Sequence, residues 1–143
     1  MPILNYTTEI DSSKTVGEIQ TILAKGGASK IIVDYDDNRN PVTISFTIKW
    51  NDKLVAFSMP CNFQGVMRAM TKNPKVPRSK CTPEQALRVG WRILKDWTEA
   101  QLAIVEAELA GMAEVFLPYA VTKDGTTLFK HMENDNKLLL SNG

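Results

Sequence analysis

Between Thr82 and Met112 apolar residues recur at helical spacing without interruption. Placed at steps of about 100°, Leu87, Trp91, Leu94, Leu102, Val105, Leu109 and Met112 form one stripe. Val89, Ile93, Trp97, Ala100, Ile104 and Ala107 form a second, and only a narrow strip with Arg88, Arg92, Lys95, Glu99 and Glu106 is plainly polar. Thr82 is placed to cap this helix, with Pro83 at its first position and Gln85 completing a capping box. The pattern would span about 45 Å, whereas a compact domain of this size is roughly 35 to 40 Å across. A helix apolar on two sides must be covered on two sides, either by the C-terminal segment folding back or by another copy of the chain. The pattern predicts a homodimer through this helix, with Trp91, Trp97 and Ile104 at the interface; the plainer alternative is a monomer in which both tryptophans are core.

Upstream, Ile3 to Thr7 reads as a short strand, and Thr15 to Glu18 as the capping box of a first helix. That helix buries Val16, Ile19, Ile22 and Leu23 and stops at Gly26-Gly27. From Ser29 the period changes to two: IIVDY, a DDNRNP turn, then VTISFTIKW, in which Val42, Ile44, Phe46, Ile48 and Trp50 alternate with Thr, Ser and Lys. Asn51-Asp52 is a two-residue hairpin turn into KLVAFSM, and Pro60 ends the meander. Asn62 is placed to cap a short helix carrying Phe63, Val66, Met67 and Met70. TKNPKVPRSK follows, with prolines, cations and no acid, and reads as a mobile loop. After Met112, AEVFLPYAV is broken by Pro118, turns at Asp124-Gly125 and ends in a short TTLFKHM helix.

The predicted fold class is α+β: a three- to four-stranded antiparallel sheet with two short helices, followed by one long C-terminal helix and a short terminal helix. One domain over 1–143 is expected, with an α+β part at 1–70, a mobile basic loop at 71–81 and the long helix with the C-terminal segment at 82–143. The order α-β-β-β-α is also that of a double-stranded RNA-binding domain. Such domains open their second helix with lysines, where this chain has Asn62-Phe63-Gln64-Gly65, so the likeness is one of topology and carries no function.

Composition changes the picture little: 143 residues at 43% hydrophobic suffice for a core without metal or disulfides. Cys61 and Cys81 are expected as free thiols in a reducing compartment. No apolar run is long enough to cross a bilayer, and the N-terminal residues do not read as a secretion signal. Charge is more informative. The net charge of +1 hides a block at 68–95 in which eight cations face the single acid Glu84, followed at 96–114 by five acids and no cation. The candidate anion- or partner-binding residues are Lys72, Lys75, Arg78 and Lys80 in the loop and Arg88, Arg92 and Lys95 on the helix. For the helical cations the competing reading is surface pairing, Arg92 with Asp96 and Lys95 with Glu99.

No catalytic motif stands out. DYDDNRN offers oxygen ligands at Asp34, Asp36, Asn38 and Asn40, but Arg39 and Ser45 stand where a calcium loop needs glycine and glutamate, so a hairpin turn is expected. His131 and the cysteines form no nucleophile–base set. The residues predict a non-enzymatic protein with no cofactor and no metal site.

The segments LNYTT, TVGEIQTILAKGGASKI and RVGWRILKDWTEAQLAIVEAELAGMAEVFLPYAVTKDGTTLF resemble a set of small proteins encoded by phages and prophages. These share an N-terminal α+β part and a W-x(5)-W helix followed by VFLPY. The resemblance implies a phage accessory protein in the cytoplasm of a bacterial host. The expected function is binding of a polyanion or nucleoprotein, inhibiting a host defence such as a nucleic-acid-guided nuclease, in the manner of an anti-CRISPR protein. The alternatives are a sponge holding a small signalling nucleotide between protomers and a scaffold for phage recombination proteins.

Overall fold

A computed structural model describes residues 1–140. Helix α1 (Ser12–Lys25) leads into an antiparallel meander of β1 (Lys30–Tyr35), β2 (Pro41–Trp50) and β3 (Lys53–Pro60), then α2 (Phe63–Lys72) and the long α3 (Pro83–Glu106). A short α4 (Met112–Val115), a 3-10 turn at Leu117–Tyr119 and α5 (Leu128–Asn134) complete the described chain. The fold is α+β, with a sheet of order β1-β2-β3. Among the described residues no helix is long and apolar enough to cross a membrane.

The period-two segment folds as its alternation dictates. Ile44, Phe46 and Ile48 of β2 and Phe57 and Met59 of β3 are buried on one face. Asn51 and Asp52 both take positive φ, 51° and 62°, the conformation required by the tight turn between right-twisted strands. The DDNRNP segment is likewise a turn: one Asp36 carboxylate oxygen accepts from the Asn38 and Asn40 N–H groups, each at 2.9 Å. At the end of α1, Gly27 (φ 105°) reverses the chain and the Ala28 N–H returns to the Leu23 carbonyl at 3.0 Å.

Several local expectations are corrected. Residues 4–7 form a turn, with Asn5 at φ 67°, and not a first strand, so the sheet stops at three strands. The Tyr6 and Thr8 carbonyls instead accept from the Gln85 side-chain amide, each at 2.9 Å, and the outer edge of β3 is met by Ala120 and Val121. Because Gln85 is used in this way, only half of the α3 capping box forms: Thr82 Oγ1 accepts from the Gln85 N–H at 3.2 Å. Helix α1 starts a turn earlier than expected, at Ser12, which places Thr15 and Glu18 inside it; Thr15 is buried, and Glu18 reaches across to α3.

The long helix lies mid-chain and is not the C-terminal element. It has 24 residues, about 36 Å at the usual rise, which fits within the domain. Its helical periodicity runs on to Met112, but the backbone turns out of the helix after Glu106. Glu108 takes φ 60°, its N–H bonds to the Val105 carbonyl, and the Leu109 N–H bonds to the Ile104 carbonyl, both at 3.0 Å. This is a Schellman turn with glutamate in the position usually held by glycine. Gly111 then precedes α4, and Met112 folds back onto the end of α1, where it and Leu102 crowd Gly26 so closely that a Cβ there would lie 2.9 Å and 2.6 Å from them.

The second stripe is covered in parts: Val89 and Ile93 pack with Met70 and Val76, the returning segment covers Trp97, and Ala100 and Ala107 stay exposed. Phe116, fully buried, meets Phe46 edge-on at 5.1 Å and Trp97 at 5.5 Å; Trp97 also meets Tyr119 at 5.8 Å. Phe46 stacks on Phe57 at 5.3 Å, so an unbroken series of rings runs from β3 to α3 and beyond. Of the residues expected at a dimer interface, Trp91 is 0% exposed within one chain, and its indole N–H donates to the Pro41 carbonyl at 2.9 Å. It is a core residue and has no surface to offer a partner. Trp97 is partly buried by this chain's own Phe116 and Tyr119, and Ile104 is half-buried.

Phe116 joins β2 to α3 by contacting the Phe46 ring on one side and the Trp97 ring on the other. Phe116→Ala is expected to lower stability by about 3 to 5 kcal/mol, measured by urea denaturation, whereas Leu109→Ala, at an exposed residue of the same apolar pattern, should change it by about 0.5 kcal/mol or less.

Candidate anion-binding surface

The basic residues at 68–95 divide into two groups with different partners. On α3, Arg92 is only 14% exposed and donates to the Glu18 carboxylate and to Thr15 Oγ1 at 3.4 Å, both on α1. Arg88 donates to Gln85 Oε1 at 2.9 Å, and Lys95 pairs with Glu99 one turn on, at 2.6 Å. The expected Lys95–Glu99 pair therefore forms. The Arg92–Asp96 pair does not: Asp96 accepts from the Asn5 side chain at 3.0 Å. Of the seven candidate residues, the three on the helix are engaged inside the fold.

The other group sits around the end of α2. Arg68 and Lys72 lie one turn apart on α2, and Lys75, Arg78 and Lys80 follow; the first four are exposed and Lys80 is half-buried, and among the described residues none has an acid within salt-bridge distance. Arg68 is not among the residues predicted from the sequence, because it precedes the proline-rich segment; the signal for it is its i, i+4 spacing to Lys72.

This segment, expected as a mobile loop, carries local anchors. Val76 is 3% exposed and plugs a second small core with Met70, Ala86 and Val89. Asn73 Oδ1 accepts from the Lys75 N–H at 2.9 Å, the Arg78 guanidinium donates to the Thr71 carbonyl at 3.3 Å, and residues 78–80 form a 3-10 turn. Burying Val76 leaves the flanking cations no direction but outward. Beside them a shallow depression of about 500 Å³ is lined by Met1, Ala69, Lys72, Asn73, Pro74 and Lys75. The surface can attract anions and hydrogen-bond them.

Cys61 and Cys81 are free; Cys61 is buried, and burial pushes its thiol up to about 12, which keeps it protonated and unreactive. Asp124 is held well below the usual carboxylate range, chiefly by the Thr126 hydroxyl, then by the Thr122 hydroxyl, the Thr126 N–H and His131. It organises the turn into α5, with His131 Nε2 at 2.9 Å. Among the described residues no group of His, Cys, Asp and Glu is arranged to hold a metal ion. Comparison with protein-family models, curated proteins and solved structures gives no significant match.

The pairing of Arg92 makes it a stabilising residue. Arg92→Ala should cost about 1.5 to 3 kcal/mol, while Lys75→Ala and Lys80→Ala should each fall within about 0.5 kcal/mol of wild type; thermal and denaturant melts read the difference. For Asp124, a lowered folded-state pKa means a contribution fully present above the ordinary aspartate value and lost as pH falls through the lowered one. Amide exchange at Thr126 should accordingly stay slow at mildly acidic pH in wild type and become fast in Asp124→Ala.

Proposed function

We propose that the protein is a non-enzymatic binding module that engages a polyanion, a nucleic acid or a nucleoprotein, through Arg68, Lys72, Lys75, Arg78 and Lys80. The observation that carries this reading is the contrast between the two basic groups. Arg92 and Lys95 on α3 are paired with carboxylates and Arg88 with Gln85, whereas among the described residues these five, at the end of α2 and in the anchored segment after it, have no acid to neutralise them. Maintaining like charges side by side destabilises a fold slightly, and an external anion relieves that repulsion. In the phage context implied by the resemblance, the target is a nucleoprotein of host defence, such as a nucleic-acid-guided nuclease, in a bacterial cytoplasm, and binding blocks its access to nucleic acid. Helix α3 supports the surface from beneath and takes no direct part.

The test is fluorescence anisotropy with labelled duplex and single-stranded DNA and RNA over a salt series. Replacing Lys72, Lys75, Arg78 and Lys80 with Ala should weaken binding and reduce the salt slope by about 0.7 to 0.9 for each phosphate that is no longer neutralised. Arg68→Ala should act in the same direction. An unchanged slope in the fourfold variant counts against this surface, and tight binding of a mononucleotide with no salt dependence favours a nucleotide sponge instead.

A further inference from the structure

Among the described residues strand β1 is an edge strand with no strand on its outer side, since the sheet order is β1-β2-β3 and the opposite edge, on β3, is met by Ala120 and Val121. Which backbone groups are free follows from the ladder. The two-residue turn at Asn51-Asp52 closes on Trp50 and Lys53, and the Cys61 N–H bonds to the Val42 carbonyl, so even-numbered β2 residues bond to β3 and odd-numbered ones to β1. The β1 partners of Thr47, Ser45 and Thr43 are Lys30, Ile32 and Asp34, whose backbone groups therefore point inward to β2. The N–H and C=O groups of Ile31 and Val33 face the free edge.

On the sheet face turned away from the helices, β1 presents Lys30, Ile32 and Asp34 in order, with Ile32 46% exposed. Among the described residues neither Lys30 nor Asp34 has an ion-pair partner within the chain. Alternation of the ladder allows an antiparallel second copy of β1 to pair with its two-fold axis at Ile31, Ile32 or Val33. Centred on Ile31, Lys30 would face Ile32 of the other copy, and centred on Val33, Asp34 would face it. Only the register centred on Ile32 places Ile32 against its own copy, Lys30 against Asp34 on both sides, and Ile31 against Val33 on the inner face.

We propose that the β1 edge is an interface with a second copy of this chain, giving one continuous sheet of order β3-β2-β1-β1′-β2′-β3′. The occupant is chosen by charge complementarity and self-complementary register. A lysine on an edge strand ordinarily repels added strands; in this register the other copy supplies the neutralising carboxylate. The interface is separate from the basic surface at 68–80, and so would present two such surfaces per assembly.

Sedimentation velocity over a micromolar-to-millimolar dilution series tests it. Wild type should approach twice the chain mass of 16.0 kDa. Lys30→Asp and Asp34→Lys each create like-charge pairs on both sides of the axis and should weaken dimerisation by about tenfold or more. The double variant K30D/D34K restores opposite charges and should return dimerisation to near wild type, with far-UV circular dichroism unchanged throughout. A monomer at every concentration overturns the proposal. So does a dimer indifferent to the single changes, or a double variant as weak as either single one.

Discussion

Helix α3 is apolar around most of its circumference, and the rest of the domain is arranged to cover it. Helix α1 packs along one side and α2 along another. The sheet reaches it through Trp91, whose buried indole would be costly if its N–H were unpaired and which finds the Pro41 carbonyl at the start of β2. What remains open, the stripe around Trp97, is closed by the chain turning back at Glu108 so that Phe116 and Tyr119 fall against it. Had the helix continued to Met112, its end would have projected past the globule with no neighbour to cover it.

The same demand explains the polar strip. A guanidinium pressed between two helices must be paired, and Glu18 on α1 supplies the carboxylate for Arg92, with Thr15 taking a further hydrogen bond. Gln85, buried near the start of α3, holds the N-terminal carbonyls with one end of its amide and Arg88 with the other. These polar contacts join α1, α3 and the N-terminal residues, and they give Arg88 and Arg92 partners within the chain.

The basic surface is thereby moved to where the fold makes no demand on charge. Between α2 and α3 the chain is anchored by buried Val76 and half-buried Cys81, while Lys75 and Arg78 remain in solvent. A segment tied at one residue and at its turns presents its cations with less ordering cost on binding than an untethered loop of the same composition. The β1 edge is a second place where the fold leaves groups unsatisfied, there on the backbone.

The sequence by itself determined the local structures whose causes are local. The meander follows from strict alternation, its turn from Asn51-Asp52, the end of α1 from Gly26-Gly27, the start of α3 from Thr82-Pro83, and the basic character of 68–80 from composition. Tertiary structure alone decided the rest, because each of those outcomes depends on a partner distant in sequence. Glu108 adopts a left-handed conformation that its own side chain disfavours, a choice the covering of Trp97 favours over further helix. Thr15 and Glu18 can cap a helix or face α3, and α3 offers Arg92. Ile3 to Thr7 has the pattern of a strand, but the backbone there turns and the Tyr6 carbonyl meets the Gln85 amide. Periodicity says that a side chain must be buried; only the packed chain says against what, and hence which charges remain for a partner.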